Sequence, residues 1–254
     1  FAPHIKMGRT QLQDAVPMTL GQEFAAFGHT ILEDVDRLAE VQGLIREINM
    51  GATAIGTKLN APAGYPEAVR KHLSAVFGRE LITAPDLVEA TADTGVFVQL
   101  SGVLKRCAVK LSKICNDLRL LSSGPRAGLG EINLPPMQPG SSIMPGKVNP
   151  TQSEAMNQVC FDVIGGDVTV TLAAEAGQLQ LNVFEPIIAF RLLRNISLVT
   201  ALLPALGYEQ CTALAKEALE SGRGVAELVI EKKLMTRRQL DEVLDPAAMV
   251  SGSH

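Results

Sequence analysis

The sequence predicts an all-α fold, a bundle of long helices followed by a small helical C-terminal subdomain. Apolar residues recur at steps of three and four over several long stretches, which is the spacing of one face of an α-helix. Aromatic residues make up only 4% of the 254 residues, and there is no Trp. Because strands are enriched in aromatic and β-branched residues, this composition favours helices that pack through aliphatic side chains.

Two of the predicted helices lie before residue 122. The first begins at Leu20 and extends to Ile48, with charged side chains opposite its apolar stripe. The second extends from Val96 to Leu121, where Ser122-Ser123-Gly124-Pro125 stops it. Helices of this length are not stable singly in water, so we expect them to bundle with one another or with other chains.

The third and fourth long helices follow a Gly- and Pro-rich stretch. Asn149 is predicted to be the N-cap of the third helix, with Pro150 at its first position, where a missing N–H costs nothing. The fourth helix is predicted from about Leu179 to Ile196. Together these helices would form a central bundle domain over residues 1–200.

The end of the chain has shorter predicted helices. Glu209 to Glu220 is amphipathic and is closed by a glycine, and Gly224 to Lys233 forms a second short helix. Thr236-Arg237-Arg238-Gln239 has the pattern of a capping box and begins a third. We therefore expect residues 201–254 to form a small helical domain.

Charge and cysteine content exclude several classes of protein. Lys and Arg number 23 and Asp and Glu 27, so the net charge of −4 offers no basic surface for a nucleic acid. No apolar run is long enough to cross a membrane, and no export signal opens the chain. The cysteines Cys107, Cys115, Cys160 and Cys211 form no CxxC pair, which predicts buried thiols, no metal site and a reducing compartment, the cytoplasm.

The segment with the clearest chemical pattern is Gly140-Ser-Ser-Ile-Met-Pro-Gly-Lys-Val-Asn-Pro150. Lys147 and Asn149 directly precede a predicted helix N-terminus, where free N–H groups and the helix dipole favour an anion such as a carboxylate. A serine in that field could act as a base because its alkoxide would be stabilised. The alternative is a helix that is merely capped after a Gly/Pro loop.

Residues 140–150 resemble, at every position, the signature of the aspartase/fumarase superfamily of lyases. Three further stretches are similar to the same superfamily: GRTQLQDAVPMTLGQE at 8–23, GATAIGT at 51–57, and 116–126. The resemblance covers nearly the whole chain. It implies a helical bundle whose members assemble as homotetramers and share active sites among three subunits.

The resemblance also implies a reaction and the residues that perform it. Members abstract a proton next to a carboxylate of a small dicarboxylate, form an enediolate dianion and expel a leaving group from the neighbouring carbon, with no cofactor. By position, Ser141 is the base, and Lys147 and Asn149 bind the α-carboxylate. Thr10 and Gln11 contact the substrate from another subunit, and Ser142 adds a hydrogen bond.

Two residues separate the branches of this superfamily. Fumarases and some aspartases have a His after the motif threonine, whereas Gln11 stands here, as in other aspartases. Glu185 occupies a position where fumarases usually have Lys. Both residues favour deamination of L-aspartate to fumarate over the alternative, class II fumarate hydration. Taken singly, Gln11 could be a loop amide that caps a helix, and Glu185 a solvated charge before a proline.

The sequence also departs from the superfamily in two places. Relatives have an N-terminal domain and a further Ser-, Thr- and Asn-rich motif that binds the second carboxylate, and neither is found here. Residues 194–200 join two places that relatives separate by about one helix and its return. Either this sequence is part of a longer protein or a helix pair of the bundle is deleted, and in both cases we expect this chain by itself not to turn over substrate. A non-catalytic helical oligomer of the same fold is the remaining alternative, although the intact loop at 140–150 favours the enzyme.

Overall fold

The computed structural model describes residues 1–138, 140, 143–144 and 146–201, with the backbone alone for 199–201. The short helices predicted beyond residue 201 lie outside the described residues. Within those that are described, long helices dominate, as the sequence predicts. They include α1 (Leu20–Leu44), α4 (Gly95–Leu121), α5 (Thr151–Glu175) and α6 (Glu185–Ala201).

A β-hairpin precedes the helices, and the sequence analysis missed it. Strand β1 (Ile5–Thr10) pairs antiparallel with β2 (Gln13–Thr19) through a two-residue turn at Gln11 and Leu12. Both turn residues have positive φ, 53° and 64°, as in a type I′ turn. The sequence has no Asn-Gly or Asp-Gly at this turn, which is the usual signal for such a hairpin.

Helix α1 begins where it was predicted and ends earlier. Thr19 and Gln22 form a capping box, in which the Thr19 hydroxyl accepts from the Gln22 N–H at 3.0 Å. The helix ends at Leu44 rather than Ile48, because β3 (Glu47–Ile48) pairs in parallel with β4 (Ile82–Thr83).

The segment between α1 and α4 contains two helices that were not predicted. After the loop at 51–64, α2 spans Tyr65–Phe77 and the single turn α3 spans Glu89–Ala92. The loop lies against α3, since a Cβ at Gly56 would overlap the backbone at Leu87. Residues 51–64 are rich in Gly and Pro, as is usual for a loop, whereas α2 has a proline in its first turn.

Lys58 in this loop provides a test of backbone strain. It is exposed and has a φ of 60°, a left-handed conformation that disfavours residues with a Cβ. We expect Lys58→Gly to raise the free energy of unfolding by about 0.5 to 1 kcal/mol, measured by thermal or denaturant unfolding. The reverse change, Gly64→Ala at a φ of 77° in open space, should lower it. A lower melting temperature for Lys58→Gly would contradict this account.

Helix α4 packs against both α1 and α5. The prediction of a helix over 96–121 is confirmed, with one further residue at its start. The main core lies between α4, α5 and α6, and its buried members are Leu104, Ala108, Cys160, Val163, Val170, Ala173, Ile188 and Leu192. These aliphatic and small side chains match the composition from which the helical bundle was predicted.

The predicted fourth helix begins later than expected, at Glu185 instead of Leu179. Leu179 has a φ of 57°, which no helix contains. Asn182 is buried and satisfies the backbone around this turn: its amide donates to the Ala173 carbonyl at 3.1 Å, and its oxygen accepts from the Phe184 N–H at 2.8 Å. The asparagine thus ends α5 and positions the start of α6.

Two buried carboxylates form ion pairs that join α4 to α1 and to α5. Asp34 on α1 is 2% exposed and is bound by Arg106 and Lys110 on α4. Asp167 on α5 accepts from the Ser101 hydroxyl at 2.8 Å and pairs with the Lys105 ammonium at 2.6 Å. Since a buried charge is costly without a partner, these contacts specify how the helices align.

Many apolar side chains on the helices are exposed. Phe161 and Leu172 on α5 are 60% and 61% exposed, and Phe190 and Leu193 on α6 are 54% and 66% exposed. Several large exposed apolar side chains on two helices are typical of surfaces that another protein chain covers. No helix among the described residues is long and apolar enough to cross a membrane.

Candidate active site

The predicted substrate loop closes at its base through Gly140, Lys147 and Asn149. The Asn149 side-chain amide donates to the Gly140 carbonyl at 3.1 Å. Gly140 lies so close to the chain returning at Lys147 that a Cβ on residue 140 would overlap the Lys147 carbonyl. Gly146 has a φ of 79°, which lets the chain turn back. Ser141 and Ser142, the predicted base and its neighbour, lie outside the described residues.

Asn149 differs from its prediction. It does not cap α5, because its side chain bonds to Gly140 instead, and α5 begins at Thr151 without a side-chain cap. Pro150 is the N-cap residue rather than the first helical residue. The amide therefore holds the two ends of the loop together, and the first N–H groups of α5 have no side-chain cap.

Lys147 is exposed, and among the described residues its ammonium has no ion-pair partner. It lies four residues before α5 begins, so its charge adds to the positive potential of the helix N-terminus. An exposed cation beside uncapped N–H groups can bind a carboxylate without first breaking an ion pair.

A buried polar network fixes the start of α5 against the end of α4. Asn157 is 2% exposed, and its amide donates to the Ser112 hydroxyl at 2.8 Å and to the Asn116 side chain at 3.2 Å. Arg119 donates to the Asn157 oxygen at 3.4 Å. Because both helices share these contacts, the helix end that follows the loop is held on a rigid support.

Thr10 and Gln11 lie at the exposed tip of the hairpin. Thr10 pairs with Gln13 across the turn, and Gln11 is the first turn residue. Gln11 is therefore not the helix-capping amide that was the alternative interpretation. Among the described residues, no hydrogen bond or ion pair joins Thr10 or Gln11 to Lys147 or Asn149.

Glu185 is the first residue of α6 and is exposed. It lines a cleft of about 640 Å³ with Asn49, Gln99 and Ile188. Among the described residues, none of the other predicted site residues lines this cleft. The residue type at position 185 still distinguishes branches of the superfamily in sequence, although Glu185 is not one of the described residues that close the base of the signature loop.

The structure adds a charged cluster that the sequence analysis did not identify. Glu131, in the segment that leads to the loop, binds both Arg9 and Lys6 of β1. The hydrogen bond from Arg9, against the opposing effect of burial, holds the pKa of Glu131 below its usual value. No local pattern signals this contact, since its partners are more than a hundred residues apart in the chain.

The described cysteines are buried thiols, as predicted. Burial raises the pKa of Cys107 and of Cys160 to about 11, so both remain protonated and unreactive near neutral pH. Cys211 lies outside the described residues. Among the residues that the structure describes, no three His, Cys, Asp or Glu side chains are grouped so that they could hold a metal ion.

The long-helix core and the loop before α5 define this protein as a member of a lyase family. The chain belongs to the family described as Lyase, which matches residues 1–165. A second family, described as Fumarase C C-terminus, matches residues 198–251. The all-α aspartase/fumarase fold predicted from the sequence is confirmed.

Curated relatives define the similarity more closely. The chain is 52% identical to aspartate ammonia-lyase of Helicobacter pylori and 55% identical to that of Pseudomonas aeruginosa, in each case over 99% of this chain. It covers 61% and 60% of these relatives, so it spans about three fifths of their length. The first alignment extends over 284 positions against the 254 residues here, so that relative has residues within the aligned stretch for which this chain has no counterpart.

Solved structures show the same fold. The fumarate lyase:delta crystallin of Brucella melitensis, bound to cobalt, has a TM-score of 0.77 and is 52% identical over 98% of this chain and 61% of its own. The class II fumarase of Schistosoma mansoni has a TM-score of 0.74 and is 34% identical over 98% of this chain and 62% of its own. The hydratase is thus similar in fold but more distant in sequence.

Proposed function

We propose that the protein to which this chain belongs is an aspartate ammonia-lyase, which converts L-aspartate reversibly into fumarate and ammonia. The observation that carries the proposal is the identity of 50% or more to aspartate ammonia-lyases of Helicobacter, Pseudomonas and Escherichia coli over nearly all of the chain. Gln11 and Glu185 support the same branch.

The proposed chemistry is an elimination in which Ser141 removes a proton from the carbon next to one carboxylate. The electron pair moves into that carboxylate to form an enediolate dianion, and ammonia then leaves from the adjacent carbon. Lys147 and Asn149 bind the α-carboxylate, Ser142 adds a hydrogen bond, and Thr10 and Gln11 contact the substrate. Release of ammonia does not require an activated water molecule. A glutamine at position 11 is therefore compatible with this reaction, whereas a hydratase has a titratable His at that position.

The geometry at α5 supports the anion-binding part of this proposal. Lys147 is exposed and lies four residues before the N-terminus of α5, which has no side-chain cap, and both the ammonium and the free N–H groups favour a carboxylate. Asn149 holds the base of the loop closed, because its amide donates to the Gly140 carbonyl. No step in this elimination needs a cofactor.

Removal of the Lys147 charge tests this role. We expect Lys147→Met to raise the KM for L-aspartate about 30-fold, because a charge-assisted contact to the carboxylate is lost, while the folded structure persists since the side chain is exposed. Steady-state kinetics would measure the change. Lys71→Met, at an exposed lysine on α2, is the matched control and should leave KM unaltered. An unaltered KM for Lys147→Met would remove this residue from the site.

The assembly and location form part of the same proposal. We propose a homotetramer in which the exposed apolar faces of α5 and α6 are covered by other copies, so that Thr10 and Gln11 of one subunit serve the loop of another. Within each subunit, residues 1–200 would belong to the bundle domain and residues 201–254 would form a small C-terminal domain. The free thiols favour the cytoplasm.

The decisive experiment incubates the complete purified protein with L-aspartate and, separately, with L-malate, and follows fumarate by absorbance. Fumarate from aspartate alone supports the proposal. Fumarate from malate would instead establish a fumarate hydratase, the alternative favoured by the similarity to the Schistosoma fumarase. If a folded oligomer forms fumarate from neither substrate, the result would favour a non-catalytic helical assembly.

A further inference from the structure

The backbone of Glu131 is hydrogen-bonded to the C-terminal end of α4. Its backbone N–H donates to the Leu121 carbonyl at the end of α4, at 2.9 Å. The turn before it is closed by Ser123, whose carbonyl accepts from the Gly130 N–H at 2.8 Å and whose hydroxyl accepts from the Leu129 N–H at 3.0 Å. The Glu131 backbone is therefore fixed to the longest helix of the described chain.

The Glu131 carboxylate joins this support to the hairpin. One oxygen pairs with the Arg9 guanidinium, and the other lies 2.9 Å from the Lys6 ammonium. The three side chains are 20%, 23% and 11% exposed, so solvent screens them only partly. Lys6 also pairs with Glu23 on α1 at 2.7 Å. We name Lys6, Arg9 and Glu131 the hairpin cluster.

The hairpin has features that make it marginally stable by itself. A two-stranded ribbon is marginally stable in water by itself. Its turn places two residues with a Cβ, Gln11 and Leu12, in the left-handed region, which costs about 1 kcal/mol or more for each. Its pairing register also shifts between Met7 and Arg9. Arg9 directly precedes Thr10, so the ion pair to Glu131 acts next to the tip.

We propose that Glu131 is a positioning residue for substrate binding, which holds Arg9 and thereby places Thr10 and Gln11 where the substrate meets them. This inference rests on the proposed function for its kinetic consequence. The geometric part, that Glu131 orders the tip of the hairpin, stands independently of it.

The test compares Glu131→Gln with the conservative Glu131→Asp in the complete protein. Glutamine keeps the size of the side chain and removes its charge, so we expect the KM for L-aspartate to rise about tenfold and amide hydrogen exchange at residues 9–13 to become faster. Aspartate retains the charge and should keep KM within about threefold of the unsubstituted protein. Glu40→Gln, which breaks an exposed ion pair to Arg37 within α1, is the matched control and should change neither quantity.

KM is the informative readout because a loss of folded protein lowers kcat and leaves KM unaltered. An unaltered KM for Glu131→Gln would overturn the positioning role, and so would an equal rise in Glu131→Asp and Glu131→Gln. If the unsubstituted protein forms no fumarate from aspartate, the proposed function fails, while faster exchange at residues 9–13 in Glu131→Gln alone still supports the ordering of the hairpin tip.

Discussion

Ser141→Ala is expected to lower kcat for L-aspartate by about a thousandfold or more, because alanine has no oxygen to accept the proton. The serine has no neighbouring His or Asp in the sequence to activate it. Its alkoxide would depend on the field of Lys147, the N-terminus of α5 and the exclusion of water. The measurement is fumarate formation at saturating aspartate, together with the melting temperature.

The neighbouring Ser142→Ala is the natural comparison for this result. Loss of one hydrogen bond should lower kcat/KM by no more than about tenfold. If Ser142→Ala abolishes turnover and Ser141→Ala does not, the base is Ser142. A large fall in melting temperature for Ser141→Ala would show that its hydroxyl supports the fold, and the loss of activity would then say nothing about proton transfer.

The helical architecture could be predicted because its signal is local. The apolar stripe over 96–121 and the stop signal at 122–125 predicted both ends of α4 to within one residue. Two of the errors arose where a single asparagine side chain determined the end of an element. Asn182 satisfies the carbonyl of Ala173 and delays α6, and Asn149 bonds to Gly140 instead of capping α5. Neither choice of partner can be read from the pattern of apolar residues.

The hairpin could not be predicted for a different reason. Its strands are mostly exposed, so they lack the alternation that one buried face imposes. Its turn uses Gln11 and Leu12 in a conformation that glycine or asparagine usually adopts. The resemblance to a lyase superfamily identified Thr10 and Gln11 as site residues, whereas Glu131, which binds the residue before them, became evident only from the folded chain.

Gly140→Ala is expected to lower kcat/KM by about a hundredfold or more, although it adds only one methyl group. That methyl would overlap the Lys147 carbonyl, so the two ends of the loop must separate and the bond from Asn149 to the Gly140 carbonyl must break. Lys147 would then move away from the start of α5, and the loop that contains Ser141 would lose its fixed base. A displacement of about 1 Å in a catalytic group is enough for a loss of this size.

Gly28→Ala is the matched control, because Gly28 is exposed in α1 and a Cβ there would meet no atom within 4 Å. Alanine favours helix over glycine, so this change should raise the free energy of unfolding by about 0.5 to 1 kcal/mol without affecting kcat/KM. The two variants share the same chemical change and differ only in what surrounds it. Activity in Gly140→Ala close to that in Gly28→Ala would mean that turnover does not require the closed base, and the role assigned to Asn149 would fail with it.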